Sequence, residues 1–276
     1  MSKRLAAPWS RGAWAAATLT IALVASPAHA GRPCEEGKPT TQQLTAGLEL
    51  AARTARQLDA SGAQVVLLAR AGQDLSKYGL RWSHLGLAYK DESANGGQGA
   101  WRVVHKLNAC GTDRADLFRQ GLGEFFNDRP FRYEAAFVPL TREAQAQVLP
   151  LLRDNTAVAR MHTPRYSMVA YAFNTRYQQS NQWVLETLAM ALEPRNQSRS
   201  RAQGWLRDEG YRPSVLHIDT FTRLGARLTR ANVEFDDHPT GDRFAGRIAT
   251  VTVDSMFDWV VRTQRGGPVQ TVRQGG

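Results

Sequence analysis

The chain has 276 residues, 42 % hydrophobic and 22 % charged, with a formal net charge of +10. That length supports one sizeable core with room for a small appendage. The Lys and Arg residues are scattered rather than gathered into a stripe, which argues against nucleic acid and for anionic surfaces such as cell wall or lipid headgroups, and two cysteines are too few for a Cys-rich zinc site.

The first thirty residues read as a secretory signal peptide rather than as part of the fold. Lys3, Arg4 and Arg11 form a basic n-region, Ala13 to Ala25 an apolar run, and Ala28-His29-Ala30 a small-x-small cleavage site. The alternative is an uncleaved anchor, but the run is short against the roughly 20 apolar residues a span needs. The residue at +1 is Gly31, not a Cys, which argues against lipoprotein processing, and no twin-Arg pair precedes the site, so the general secretory route is expected. Cleavage after Ala30 leaves a mature chain of 246 residues with a net charge of +7 and a periplasmic or secreted location. No second long apolar run follows, so no stable membrane span is expected after cleavage.

Residues 31–276 read as a single domain with a C-terminal extension. A helix is expected to start at Pro39 to Thr41, with Leu44, Leu48, Ala51, Ala55 and Leu58 at helical spacing, and to stop at Ala60-Ser61-Gly62. Val65 to Ala69 is a buried strand, Arg70 to Leu80 a loop, and His84 to Tyr89 a second strand. Lys90 to Gly99, centred on Asn95-Gly96-Gly97, connects it to a third, Ala100 to Leu107. An antiparallel pair of that kind brings His84 and His105 to the same end of the hairpin. Asp116 to Phe126 reads as a short helix interrupted by Gly121 and Gly123. Ala135 to Leu140 is a strand, and Thr141 caps a helix through Leu152. Tyr166 to Phe173 is aromatic and apolar. Ser180 to Leu192 is the most regular helix, ended by Pro194. Arg195 to Gln203 is a polar linker whose arginines face solvent. A helical turn, then Ser214 to Asp219, a strand from Arg243 to Val253, and an apolar stretch from Val253 to Val261 complete the chain. The fold class is α+β, an antiparallel sheet packed against helices.

Cys34 and Cys110 are the two cysteines. In an exported chain their even number suggests one disulfide. The rival is a nucleophilic Cys110, but Asn108 to Thr112 reads as a turn rather than a helix start. Asp74 reads as a turn cap, Tyr166 and Tyr171 as core aromatics, and Asp236-Asp237-His238 as an exposed turn. There is no phosphate-cradling Gly loop and no suitably spaced metal set, so no cofactor and no metal are expected.

Three pieces carry chemistry. A nucleophile needs an adjacent base, and the base needs a third group to fix its tautomer. His84, at the head of a strand, can be the base, and His105 on the next strand its orienter. A helix N-terminus offers backbone N–H groups to an anion, and Ser180 stands at one, in Gln178-Gln179-Ser180-Asn181-Gln182-Trp183.

Ser83-His84-Leu85-Gly86-Leu87 resembles the base-carrying strand of the NlpC-type, papain-like superfamily, and Val103-Val104-His105 its next strand. The order His84, His105, then the polar helix start at Ser180 resembles the circularly permuted members. More closely, Ala63 to Tyr89, Trp101 to Thr112, Gln120 to Phe126 and Tyr166 to Leu188 resemble the bacterial exported family catalogued as domain of unknown function 2145. The resemblance to the papain-like superfamily implies a Cys where this chain has Ser180, and a hydroxyl is the poorer nucleophile. Two functions follow. One is an amide or ester hydrolase or acyltransferase at the cell envelope, with Ser180 as nucleophile, His84 as base and His105 as orienter. The other is a non-catalytic periplasmic protein whose cleft binds a cell-wall peptide, a lipid or a glycan.

Overall fold

The computed structural model describes residues 38–229 and 231–273. The signal segment and Cys34 lie outside the described residues, and so does the expected Cys34–Cys110 pairing.

Helix α1 (Thr41–Ala60) is fixed at its start by a reciprocal cap between Thr40 and Gln43. Four strands follow: β1 (Val65–Ala71), β2 (His84–Asp91), β3 (Ala100–Asn108) and β4 (Ala115–Gly121). The short α2 (Leu122–Phe126) leads into β5 (Arg132–Pro139). Helices α3 (Arg142–Arg153), α4 (Asn155–Ala159), α5 (Ser180–Leu192) and α6 (Arg199–Asp208) come next. The chain ends with β6 (Ser214–His217), α7 (Thr220–Thr229), α8 (Thr240–Phe244), β7 (Arg247–Thr250), α9 (Val253–Arg262) and β8 (Gln270–Val272). No helix of the described residues is long and apolar enough to cross a membrane.

The main sheet is antiparallel, in the order β4-β3-β2-β1-β5-β8. Every residue of β1 is buried, because helices cover both faces of this interior strand. On one face Val65, Leu67, Leu85, Leu87 and Val104 meet α3, α5, α6 and α9. On the other, Val66, Leu68, Ala88 and Val103 meet α1 and α2 through Leu50, Leu58, Phe125 and Phe126. Truncating one of these leucines to Ala costs about 2–5 kcal/mol. A smaller cluster, Ile218, Val233, Phe235 and Ile248, sits at the two-stranded β6–β7 ribbon.

Four expectations need correction. Asp116 to Phe126 is mostly strand: β4 pairs with β3 along its whole length, and only its last residues turn into α2. The short Leu/Phe spacing concealed a partly exposed strand. Residues 195–203 are not a linker throughout, because α6 starts at Arg199 with the Ser198 hydroxyl as its cap. Arg199 is buried rather than solvated. The strand expected from Arg243 to Val253 shrinks to β7, since α8 occupies the residues up to Phe244 and α9 starts at Val253. The loop after β1 starts later than expected, because Arg70 and Ala71 still pair with β5.

Candidate active site

The site starts from a parting of two strands. β2 and β3 are paired from Asp91–Ala100 to Leu87–Val104. Beyond that point β3 continues against β4, while the first residues of β2 pair only with β1. Gly86 stands where they part. A Cβ there would lie 2.5 Å from Val103 Cγ1 and 3.3 Å from the His105 Cβ, so a bare backbone is what lets His105 close on β2. On the far side of Gly86, the Leu85 N–H donates to Asn181 Oδ1 at 3.0 Å. The first turn of α5 therefore reaches into the gap, one residue away from His84.

His84 and His105 share the α2 face of the sheet. His84 Nε2 lies 2.8 Å from His105 Nδ1, and His105 Nε2 lies 2.8 Å from Gln120 Oε1. With the Gln120 oxygen facing the ring, this chain of bonds fixes both tautomers. An amide oxygen only accepts, so His105 carries its proton on Nε2 and offers the Nδ1 lone pair. His84 then donates from Nε2 and keeps its own lone pair on Nδ1. Phe125 packs against both rings, with centroids 5.9 and 5.2 Å away.

The surroundings hold both rings neutral. Burial pushes the His84 pKa well below the usual 6.5, and the Arg70 guanidinium and His105 push it further. Burial, then Arg70, bring His105 down to about 4, against opposing effects of Gln120 and Asp128. Arg70 is itself buried, lies over Phe125 and donates to the Phe125 carbonyl and the Asp128 carboxylate.

Ser180 is the first residue of α5 and is buried. The Gln179 side chain caps the helix, accepting from the Asn181 N–H at 3.0 Å. The Ser180 hydroxyl faces the Tyr166 phenol. Burial raises the Tyr166 pKa and the Ser180 contact partly offsets that rise. No hydrogen bond joins Ser180 to His84 among the described residues. The structure thus brings His84 and His105 together, and it sets Ser180 at the start of α5 with no hydrogen bond to His84 among the described residues.

Two buried polar groups escaped sequence reasoning. Lys106, next to His105 but on the opposite face, donates to the Thr163 carbonyl at 2.6 Å and to Gln178 Oε1 at 2.8 Å. Gln178 passes the network to Glu186, which accepts from Arg199 at 2.7 Å and from Gln203 at 2.6 Å. Burial, then Arg199, lower the Lys106 pKa to about 7. A charged residue inside each of two apolar runs, Lys106 in β3 and Glu186 in α5, was the available signal. The second group corrects an expectation. Asp237 and His238 form a buried pair rather than an exposed turn, with His238 Nδ1 2.9 Å from Asp237 Oδ1. The Tyr171 N–H donates to the other Asp237 oxygen, and this packing against 166–174 pulls the pair inward. Asp74 does act as a turn cap, accepting from the Ser76 N–H. Among the described residues, no three His, Cys, Asp or Glu side chains gather as a metal set.

No curated protein and no solved structure matches the chain. A family described as "Uncharacterized protein conserved in bacteria (DUF2145)" matches residues 57–260, well over half of the chain. With strands β1 to β5, the histidine pair and the α5 start all inside that span, the chain belongs to the DUF2145 family of uncharacterised bacterial proteins.

Proposed function

We propose that this is an exported envelope protein with an acyl-transfer site of the permuted papain-like kind, acting on an amide or ester such as a cell-wall peptide. The observation that carries the reading is the His84–His105–Gln120 relay. It leaves His84 with a defined lone pair on Nδ1 and a proton on the far nitrogen held by a second ring. That is how a base is set for a nucleophile. In the proposed reaction Ser180 Oγ attacks the carbonyl carbon and its proton passes to His84 Nδ1. Backbone N–H groups at the start of α5 hold the oxyanion. The tetrahedral species then expels the amine or alcohol, which takes that proton from His84, and leaves an acyl ester on Ser180. Water, deprotonated by His84, releases the acid and restores the hydroxyl. Secretion through the signal peptide and a Cys34–Cys110 disulfide belong to the same reading.

The test is Ser180→Cys in the purified protein. On this reading a thiol at position 180 is activated by His84, so it should alkylate with iodoacetamide at neutral pH faster than an ordinary exposed thiol, and His84→Ala should slow it about tenfold or more. A rate indifferent to His84 sinks the acyl-transfer reading. A second reading, a non-catalytic binding protein, draws on the Ser180–Tyr166 contact. It expects that Tyr166→Phe leaves Ser180→Cys labelling unchanged and that no ester or amide substrate turns over.

A further inference from the structure

Helix α7 is amphipathic the wrong way round for a helix that packs on its own protein. Phe221 and Leu224, three residues apart and on one face, are 87 % and 57 % exposed. Arg223 between them is buried instead, its guanidinium donating to the Ile218 carbonyl and to Thr220 Oγ1. The start of α7 lies against the end of α8. Ile218 N–H bonds the Gly246 carbonyl at 2.9 Å, and Arg223 Nη1 lies 3.5 Å from where a Gly246 Cβ would stand. This brings in α8, whose Phe244 is 74 % exposed. A patch of two Phe and one Leu side chains turned to water is an anomaly that marks a contact surface.

The charges around the patch choose its partner. α7 contains Arg223 and Arg227 and no acidic residue. The carboxylate just before α7 and the one within α8 are already engaged. Asp219 caps α7, accepting from the Thr222 N–H at 2.9 Å and its hydroxyl at 2.6 Å. Asp242 is paired with Arg247 at 2.6 Å. Arg243 lies over the exposed Phe244 ring, 5.4 Å from its centroid, and makes no ion pair among the described residues. Arg212 and His217 are exposed on the β6 side of the same ribbon. Protruding aromatic and aliphatic side chains accompanied by Arg243 and the exposed Arg212 match an anionic lipid surface, with the rings entering the acyl boundary and these guanidiniums meeting phosphates.

We infer that α7 and α8 form a membrane-docking surface that seats the protein on anionic phospholipid headgroups without spanning the bilayer. The inference does not depend on a working acyl-transfer site. The test is co-sedimentation of the purified protein with phosphatidylcholine vesicles, with and without phosphatidylglycerol. Binding should require phosphatidylglycerol and weaken as salt is raised. Phe221→Ser with Leu224→Ser should reduce it about tenfold or more, and Arg243→Ser should reduce the preference for anionic vesicles. Because these side chains face water, the variants should keep the wild-type urea midpoint, which separates lost docking from lost folding. Equal binding to both vesicle types, or undiminished binding by the double variant, overturns the inference. So does a concentration-dependent dimer that the double variant abolishes, since a second copy would then cover the patch.

Discussion

Acidification should unfold this protein through its buried histidines. His105 is fully enclosed, and its pKa falls from 6.5 to about 4 in the folded state. At roughly 1.4 kcal/mol per pKa unit this difference is about 3 kcal/mol. The sign follows from proton counting. Between pH 6.5 and 4 the unfolded chain protonates at this position and the native one does not, so stability falls as pH falls through that window. Above pH 6.5 both states are neutral here and the contribution is level. His84 and His162 are also held below their ordinary value, so the wild type should lose more than His105 alone accounts for. The difference between wild type and His105→Asn isolates one histidine. Urea titrations from pH 7.5 to pH 4.5, with the dependence on urea held common, should give a wild-type slope steeper than the variant's by about one proton. Equal slopes would refute the assignment. So would an NMR titration of His105 with its midpoint near 6.5, because burial would then not be governing its charge.

Three further outcomes are expected. Glu186→Ala strands the Arg199 guanidinium in the core and should cost about 3–5 kcal/mol in urea unfolding, whereas Glu186→Gln with Arg199→Met should fall well short of the summed single losses. Gly86→Ala forces a methyl group against Val103 and His105; it should cost about 1–3 kcal/mol and shift the imidazole NMR signals of both His84 and His105. Thiol titration of the unfolded but unreduced protein, purified under oxidising conditions, should find no reactive thiol, and two after reduction; free thiols before reduction would remove the Cys34–Cys110 pairing.

The elements with the clearest periodicity were readable without coordinates. The entry of α1 at Pro39 to Thr41, Val65 onward as a buried strand, the hairpin through Asn95-Gly96-Gly97, and α5 from Ser180 to Leu192 all have local causes: helical spacing, an uninterrupted apolar run, a positive-φ turn, a stop at Pro194. From that hairpin the closeness of His84 and His105 followed by topology. Other features depend on partners distant in sequence. Gln120 reads as an ordinary polar residue until β4 lies beside β3 and brings it to His105. Arg199 looked solvated because its burial depends on Glu186, thirteen residues earlier on another helix. His238 looked exposed because the segment around Tyr171 that covers it has no periodic signature. The inverted face of α7 could not be read from composition alone, since an amphipathic pattern does not say which side meets the protein.

The Leu85–Asn181 bond also has a meaning in time. Strands β1 to β4 join neighbours in sequence and can zip as successive hairpins, whereas Asn181 comes from 96 residues further on. Until α5 docks, the parted ends of β2 and β3 expose an unmet amide and a short open edge, the kind of surface on which chains pair with one another. Plugging the gap is therefore expected as a late step, with low φ-values at Asn181 and high ones in the β1–β2 and β3–β4 turns. Substitutions that loosen α5 would then lower yield by prolonging that open interval even where the finished protein is stable.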